Sequence, residues 1–258
     1  MEAKLPIGIS GGATALRDFT LQRPKGVLRV QLQDAPDHNP GIDLVAFHHV
    51  LTNLGPVSNP PKTMLRRMTL PDRDYLHACC GAMRNKGCVN VSAKCQACGT
   101  EAKADVPATA IPLVDQDAPV TFVNERACVA TSVDLPAQGR LVTLVVAIPT
   151  IGSEYELAES SLRRNPDGTN AISDSELGIQ RMLTGLVSID GEAPTRATLE
   201  SLDLDDFDTI MTAMNGIKFP HLDDEVVMAC PGCRAQVKTR FAFNRWLLPL
   251  SVPTEAKS

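Results

Sequence analysis

Apolar positions recur along this chain with two periods. Around residues 19–21 and 27–32 apolar and polar residues alternate, which predicts half-buried strands. From residue 44 the period lengthens: Leu44, Phe47, Leu51 and Leu54 share one helical face, with Asp43 placed near the N-terminus to complement the helix dipole. Residues 55–61 end that helix in a loop. Leu70-Pro71-Asp72-Arg73-Asp74 then starts a second helix, with proline and two carboxylates in its first turn. Leu76, Cys79, Cys80 and Met83 continue it as a single apolar stripe. A Cys95-Gln96-Ala97-Cys98 step follows and leads into alternation over 100–106.

The second half repeats this order. Residues 141–148 predict a strand, and Asn165-Pro166-Asp167-Gly168 a turn. Ser173 and Glu176 form a capping box ahead of the stripe Ile179, Met182, Leu183 and Leu186. Leu204-Asp205-Asp206-Phe207-Asp208 opens a helix with Phe207, Ile210, Met211 and Met214 on its apolar face, and Cys230-Pro231-Gly232-Cys233 leads into alternation over 235–243. The spacing is nearly constant. Val50-Leu51-Thr52-Asn53-Leu54 aligns with Met182-Leu183-Thr184-Gly185-Leu186 at an offset of 132 residues; Leu70, Asp72 and Asp74 align with Leu204, Asp206 and Asp208 at 134; Cys95 and Cys98 align with Cys230 and Cys233 at 135. The expected fold is α+β: an internal duplication of a strand, helix, helix, zinc-knuckle module, its two copies related by a pseudo-twofold around a shared zinc-ribbon-like site. The division expected is an N-terminal arm over 1–18, a first repeat over 19–130 and a second over 131–258. Within the arm, Gly8-Ile9-Ser10-Gly11-Gly12 lacks the Lys-Ser/Thr and the preceding strand of a phosphate loop, so it reads as flexible chain.

The Cys-x-x-Cys steps carry the chemistry. A knuckle of this spacing aims backbone amides at two thiolates that occupy two corners of a tetrahedron, so two knuckles complete one site. Cys95, Cys98, Cys230 and Cys233 are therefore the expected ligands of one structural Zn2+ per chain. One metal per half is the alternative, with Cys88, Cys79, Cys80 or His77 recruited in the first half and His221 in the second; reduced knuckles that merely pack are another. A four-sulfur site leaves no position for water or substrate, which makes it structural. Cys79, Cys80 and Cys128 read as buried thiols, and His48-His49 as partly buried or surface histidines. Asp203, Asp205, Asp206 and Asp208 read as helix N-terminal charge. No nucleophile stands beside a base in a recognisable motif, so an enzyme and a small-molecule substrate are not expected.

Composition narrows the classes further. The 258 residues carry 25 basic and 30 acidic side chains, a net charge of −5, which disfavours binding by phosphate neutralisation. Aromatics are 4%, too few to supply base-stacking platforms. The longest apolar run, 141–148, falls well short of the ~20 residues that span a bilayer. Eight cysteines in a chain without a leader-like start favour metal or buried thiols over disulfides, in a cytoplasmic protein.

The segment Leu70-Pro71-Asp72-Arg73-Asp74-Tyr75-Leu76 leading to Lys94-Cys95-Gln96-Ala97-Cys98-Gly99, and Ala229-Cys230-Pro231-Gly232-Cys233 leading to Phe241-Ala242-Phe243-Asn244-Arg245-Trp246, resembles the T-even-type base-plate hub assembly proteins of contractile-tailed phages. In that family an aspartate-led helix precedes a Cys-Pro-x-Cys-Gly knuckle, and an aromatic, basic stretch ends the chain. The likeness covers mainly 44–106 and 199–249; the first knuckle lacks the proline, and Arg234 stands where the family has glycine. The resemblance implies a tail component or assembly chaperone that binds hub or tape-measure proteins, located in the host cytoplasm during assembly or in the virion tail. Phe241, Phe243, Arg245, Trp246 and Leu247 are the candidate partner-binding residues, with a final core strand as their other reading. The rival from another class is a zinc-ribbon nucleic-acid-binding or transcription-related protein. It would use Lys94, Lys103, Arg234, Lys238, Arg240 and Arg245 near the knuckles.

Overall fold

The computed structural model describes residues 1–12, 14–35, 39–84, 86–114, 119–162 and 172–240. The first half runs β1 (Glu2–Ser10), β2 (Ala15–Leu21), α1 (Val27–Gln33), α2 (Asn39–Val50), β3 (Leu51–Leu54), β4 (Val57–Ser58), α3 (Lys62–Leu65), α4 (Leu70–Arg84), β5 (Cys88–Lys94) and β6 (Glu101–Pro107). Short β7 (Leu113–Val114) and β8 (Thr121–Val123) follow. The second half runs β9 (Arg126–Leu135), β10 (Arg140–Ala147), α5 (Ile151–Leu162), α6 (Asp174–Gly185), β11 (Leu186–Ile189), α7 (Arg196–Glu200), α8 (Leu204–Gly216), β12 (His221–Leu222), β13 (Glu225–Ala229) and β14 (Gln236–Arg240). Helices and antiparallel sheets thus combine in an α+β fold.

Two four-stranded sheets carry the halves, in the orders β1-β2-β3-β4 and β11-β10-β9-β8. Helix α4 packs on β1 and α8 packs on β9. Each sheet has its own core. Leu5, Ile9, Phe19, Phe47, Leu54, Leu65 and Leu76 build the first, and Leu135, Leu144, Val146, Met182, Leu199 and Ile210 the second. The hairpins β5-β6 and β13-β14 form a third unit drawn from both halves, β14 lying on β5 and β13 on β6.

Several expected elements are placed differently. The N-terminal stretch is not an arm: β1 pairs with β2 and buries Leu5, Ile7 and Ile9. The glycine-rich pattern that suggested flexibility serves a strand irregularity instead. The register shifts between Lys4 and Ile9, and Gly8 sits at φ +90°, where an added Cβ would lie 2.6 Å from the Arg17 side chain. Residues 27–33 form helix α1 and not a strand, because Leu28 and the partly buried Leu32 stack one turn apart while Val27 and Val30 face solvent. Leu51 and Leu54 are strand residues; α2 stops at Val50 and the chain passes directly into β3. The aligned stretch in the second half makes the same passage, from α6 into β11 at Leu186. A boundary between 130 and 131 would cut β9, which pairs with β10 from Leu135↔Arg140 to Cys128↔Ala147.

The acidic helix starts have a more specific role than dipole compensation. Asp72 is fully buried and accepts from the Ile7 and Gly8 amides at 2.8 and 2.9 Å and from the Thr69 hydroxyl at 2.9 Å. It satisfies the backbone donors that the irregularity in β1 leaves unpaired. Asp206, also fully buried, accepts from the Ala137 amide at 2.8 Å in the β9-β10 turn. Asp43 lies one turn inside α2 and is buried against His77, whose Nε2 is 2.9 Å from its carboxylate.

The halves meet along more than the hairpins. Helix α2 packs on α5, β1 on β9, and Ile151 joins the first core. Backbone bonds run from Leu70 N to Pro149 O (2.9 Å), Ile151 N to Met68 O (2.9 Å) and Gly152 N to Arg66 O (2.7 Å). A Cβ on Gly152 would stand 2.7 Å from that Arg66 oxygen. Gly152→Ala should therefore cost about 1–3 kcal/mol in urea denaturation, whereas Gly178→Ala, with nothing within 4 Å in α6, should be neutral or stabilising by up to about 1 kcal/mol. A second expectation concerns pH. Burial pushes the Asp72 pKa from 3.8 up to about 6, against the pull of the Ile7 amide, the Thr69 hydroxyl and the Gly8 amide. Since the folded value lies above the unfolded one, the stabilisation is fully present below pH 3.8 and is lost as pH rises through about 6. Wild type measured against Asp72→Asn should lose about 3 kcal/mol of relative stability across that window.

Candidate metal centre

Each knuckle is the turn of a hairpin, and the two turns have the same backbone. In the first, Cys95 N donates to Thr100 O at 2.9 Å and Gly99 N to Cys95 O at 2.8 Å; in the second, Cys230 N donates to Ala235 O at 2.8 Å and Arg234 N to Cys230 O at 2.9 Å. The residue after the second cysteine is left-handed in both, Gly99 at φ +74° and Arg234 at φ +62°. Glycine adopts this conformation readily, while arginine carries a strain of about 1 kcal/mol or more. The turn geometry explains why glycine suits this position, and its retention with Arg234 indicates that neighbouring contacts hold the second turn in shape.

The hairpins bring Cys95, Cys98, Cys230 and Cys233 together, with all four Sγ atoms within 4.8 Å of one another. Cys95 Sγ lies 3.6 Å from Cys233 Sγ, and Cys98 Sγ lies 3.5 Å from Cys230 Sγ. A tetrahedral thiolate shell around zinc, with metal–sulfur bonds of about 2.3 Å, has its sulfurs about 3.8 Å apart. The cluster therefore has the donor type, number and spacing for one structural metal ion. Cys95 and Cys230 are buried, whereas Cys98 and Cys233 are exposed. Gly232 permits the close approach: a Cβ there would meet Thr100 Oγ1 at 2.8 Å and Cys98 Sγ at 3.5 Å.

The electrostatics also suit a cation. Hydrogen bonding with the Thr100 hydroxyl, 3.3 Å from Cys98 Sγ, and then with the Thr100 amide pulls the exposed Cys98 thiol down to about 6, with smaller help from Cys230 and Cys233. At Cys233 the Ala235 amide pulls downward, but the Cys98 and Cys95 thiols outweigh it and push the pKa up to about 12. One sulfur thus ionises easily and another resists, because uncompensated thiolates at this distance repel. A bound cation removes that conflict and stabilises all four as thiolates.

The other candidates lie apart from this cluster. Cys79, Cys80 and Cys128 are buried. Cys88 lies in β5, and His77 is engaged with Asp43. His221 is exposed, with Nδ1 3.1 Å from Phe219 O. His48 Nδ1 lies 3.2 Å from Pro60 O. The candidate partner-binding residues Phe241, Phe243, Arg245, Trp246 and Leu247 lie outside the described residues. Sequence reasoning missed the His77–Asp43 pair, whose members are 34 positions apart and belong to different helices. No local spacing signals such a pair. Comparison of the chain with protein-family models, curated proteins and solved structures finds no match.

Titration of the reduced chain with cobalt(II) should produce the charge-transfer absorption of a four-sulfur site, saturating at one equivalent. Replacing all four knuckle cysteines with serine should abolish it, whereas Cys79→Ala should leave it intact.

Proposed function

We propose that this chain is a duplicated binding scaffold, stapled by one structural zinc, that acts through protein contacts in assembling the base-plate hub of a contractile phage tail. The observation that carries this reading is the four-sulfur cluster contributed equally by two segments more than a hundred residues apart. A closed thiolate set stabilises a fold and offers no coordination position for substrate, so the role proposed is structural and not enzymatic. Setting aside the two-residue strands β4 in the first half and β12 in the second, both halves run strand, strand, helix, helix, strand, helix, helix, hairpin, which supports the duplication. The reciprocal approach of Cys95 to Cys233 and of Cys98 to Cys230 is what a pseudo-twofold at the knuckles requires. The base-plate assignment comes from the resemblance of the aspartate-led helices and knuckles to that phage family, and the host cytoplasm during assembly is the corresponding location.

The nucleic-acid alternative requires basic side chains available to phosphate. Lys103 is instead 3.1 Å from Glu101, Lys238 is 3.2 Å from Glu225, and Arg240 is 3.9 Å from Asp224. These acidic partners reduce the positive potential around the knuckles. No helix among the described residues is long and apolar enough to cross a membrane.

Co-expression with contractile-tail hub and tape-measure proteins, followed by size-exclusion chromatography, tests the proposal. The full chain should co-elute with a hub or tape-measure protein, and the four-serine variant should not. Truncation after Arg240 measures the share contributed by Phe241, Phe243, Arg245, Trp246 and Leu247. Absence of any such complex, with DNA or RNA retained at moderate salt, would reverse the assignment in favour of the nucleic-acid reading.

A further inference from the structure

The four-thiol centre has a feature that metal binding alone does not use. Each of its two short sulfur contacts joins opposite knuckles, and each pairs one exposed thiol with one buried thiol. Cys98, exposed, is 3.5 Å from buried Cys230, and Cys233, exposed, is 3.6 Å from buried Cys95. A small oxidant arriving from solvent meets the second cysteine of a knuckle. The thiol positioned to respond is the first cysteine of the other knuckle.

We infer that peroxide converts this centre into two disulfides between the halves, Cys98–Cys230 and Cys95–Cys233, so that a covalent staple replaces the metal staple. The inference rests on the reading of these four cysteines as one site. In each reaction the exposed thiolate attacks a peroxide oxygen and breaks the O–O bond, giving a sulfenic acid and, after protonation, water. The buried thiolate of the opposite knuckle then attacks that sulfur and forms the S–S bond, and the sulfenic oxygen leaves as a second water after protonation. Each disulfide consumes one hydrogen peroxide, which accepts the two electrons lost by the sulfurs. From the metal-bound form, four thiolates, two peroxides and four protons give two disulfides, four waters and the released divalent ion.

Two properties of the fold favour the inter-half product. The hairpins are already packed, β14 on β5 and β13 on β6, so the partner sulfurs need little backbone movement to reach bonding distance. Within each knuckle the backbone bonds close the turn, and both sulfurs face the centre shared with the other knuckle, where all four lie within 4.8 Å. Oxidation to the inter-half form would release the metal while leaving the two halves joined.

Tryptic mapping of the full chain tests this directly. Residues 95–103 carry both cysteines of the first knuckle on one peptide, and residues 219–234 carry both of the second. The metal content of the reduced chain is measured first, then hydrogen peroxide is added with a chelator present. The expected product is a single non-reducible-by-heat, dithiothreitol-sensitive species in which the two peptides are joined and together lighter by four hydrogens. Two separate peptides, each lighter by two hydrogens, would overturn the inference, as would sulfinic acids without cross-links. Pairing is resolved with double variants: Cys95→Ser with Cys233→Ser should still join the peptides through Cys98 and Cys230, while Cys95→Ser with Cys230→Ser should join them more slowly. Equal rates would overturn the proposed pairing. A reduced chain that binds no metal yet forms the expected cross-links refutes the structural metal alone, so the two readings fail separately.

Discussion

Four sulfur atoms from two distant Cys-x-x-Cys turns lie within 4.8 Å of one another, and ionised together they would repel unless a cation or a covalent bond resolved the charge. The ligands come from two hairpins whose own sheets have two strands each. Such hairpins are marginal alone in water. Their packing places buried Cys95 and Cys230 inside the same apolar cluster as Val89, Val226, Met228 and Val237, so ligand geometry and hairpin packing support each other. A metal bound there would therefore stabilise this unit more than the two sheet cores, each of which has its own set of large buried side chains.

The four-cysteine cluster is one of several contacts between the halves. The segment from Arg66 to Leu70 exchanges backbone hydrogen bonds with the start of α5, and Arg66 also lies over the Tyr155 ring and pairs with Glu156. These contacts involve residues 66–70 and 149–156, whereas the knuckles lie later in each half, at 95–98 and 230–233. The arrangement fixes the halves at two separated places, which restricts rotation more than either tie would alone.

Much of the centre was legible in the sequence because its spacing is local: two Cys-x-x-Cys turns announce themselves, and equal offsets pair them. The helix starts at Leu70 and Leu204 were legible for the same reason. What failed was the passage from helix to strand. Leu51 and Leu54 continue the apolar spacing of α2, and the helical period remains satisfied although the backbone has become β3. Periodicity reports which face is buried, and a strand entering a sheet beneath its own helix buries nearly the same face. The N-terminal glycines misled for a related reason. Gly8 supplies the positive φ of a strand irregularity, and the compensating carboxylate, Asp72, is 64 residues away. Local composition carries no trace of a partner so distant.

The scarcity of aromatics gives a structural metal at this cluster a physical rationale. With 4% Phe, Tyr and Trp in the chain, the cluster between the knuckle hairpins is built from Val, Ala, Met, Leu, Ile and Cys, with Tyr75 at its edge. Small side chains bury little area per residue, and each CH2 transferred from water contributes only about 0.8 kcal/mol. Four short strands lined in this way have little margin over the conformational entropy of ordering them. A metal held by four thiolates would supply directional bonds where both hairpins converge, without demanding volume that these side chains do not have. The same reasoning accounts for the exposure of Cys98 and Cys233: two two-stranded hairpins are too thin to enclose the centre, which therefore also faces solvent.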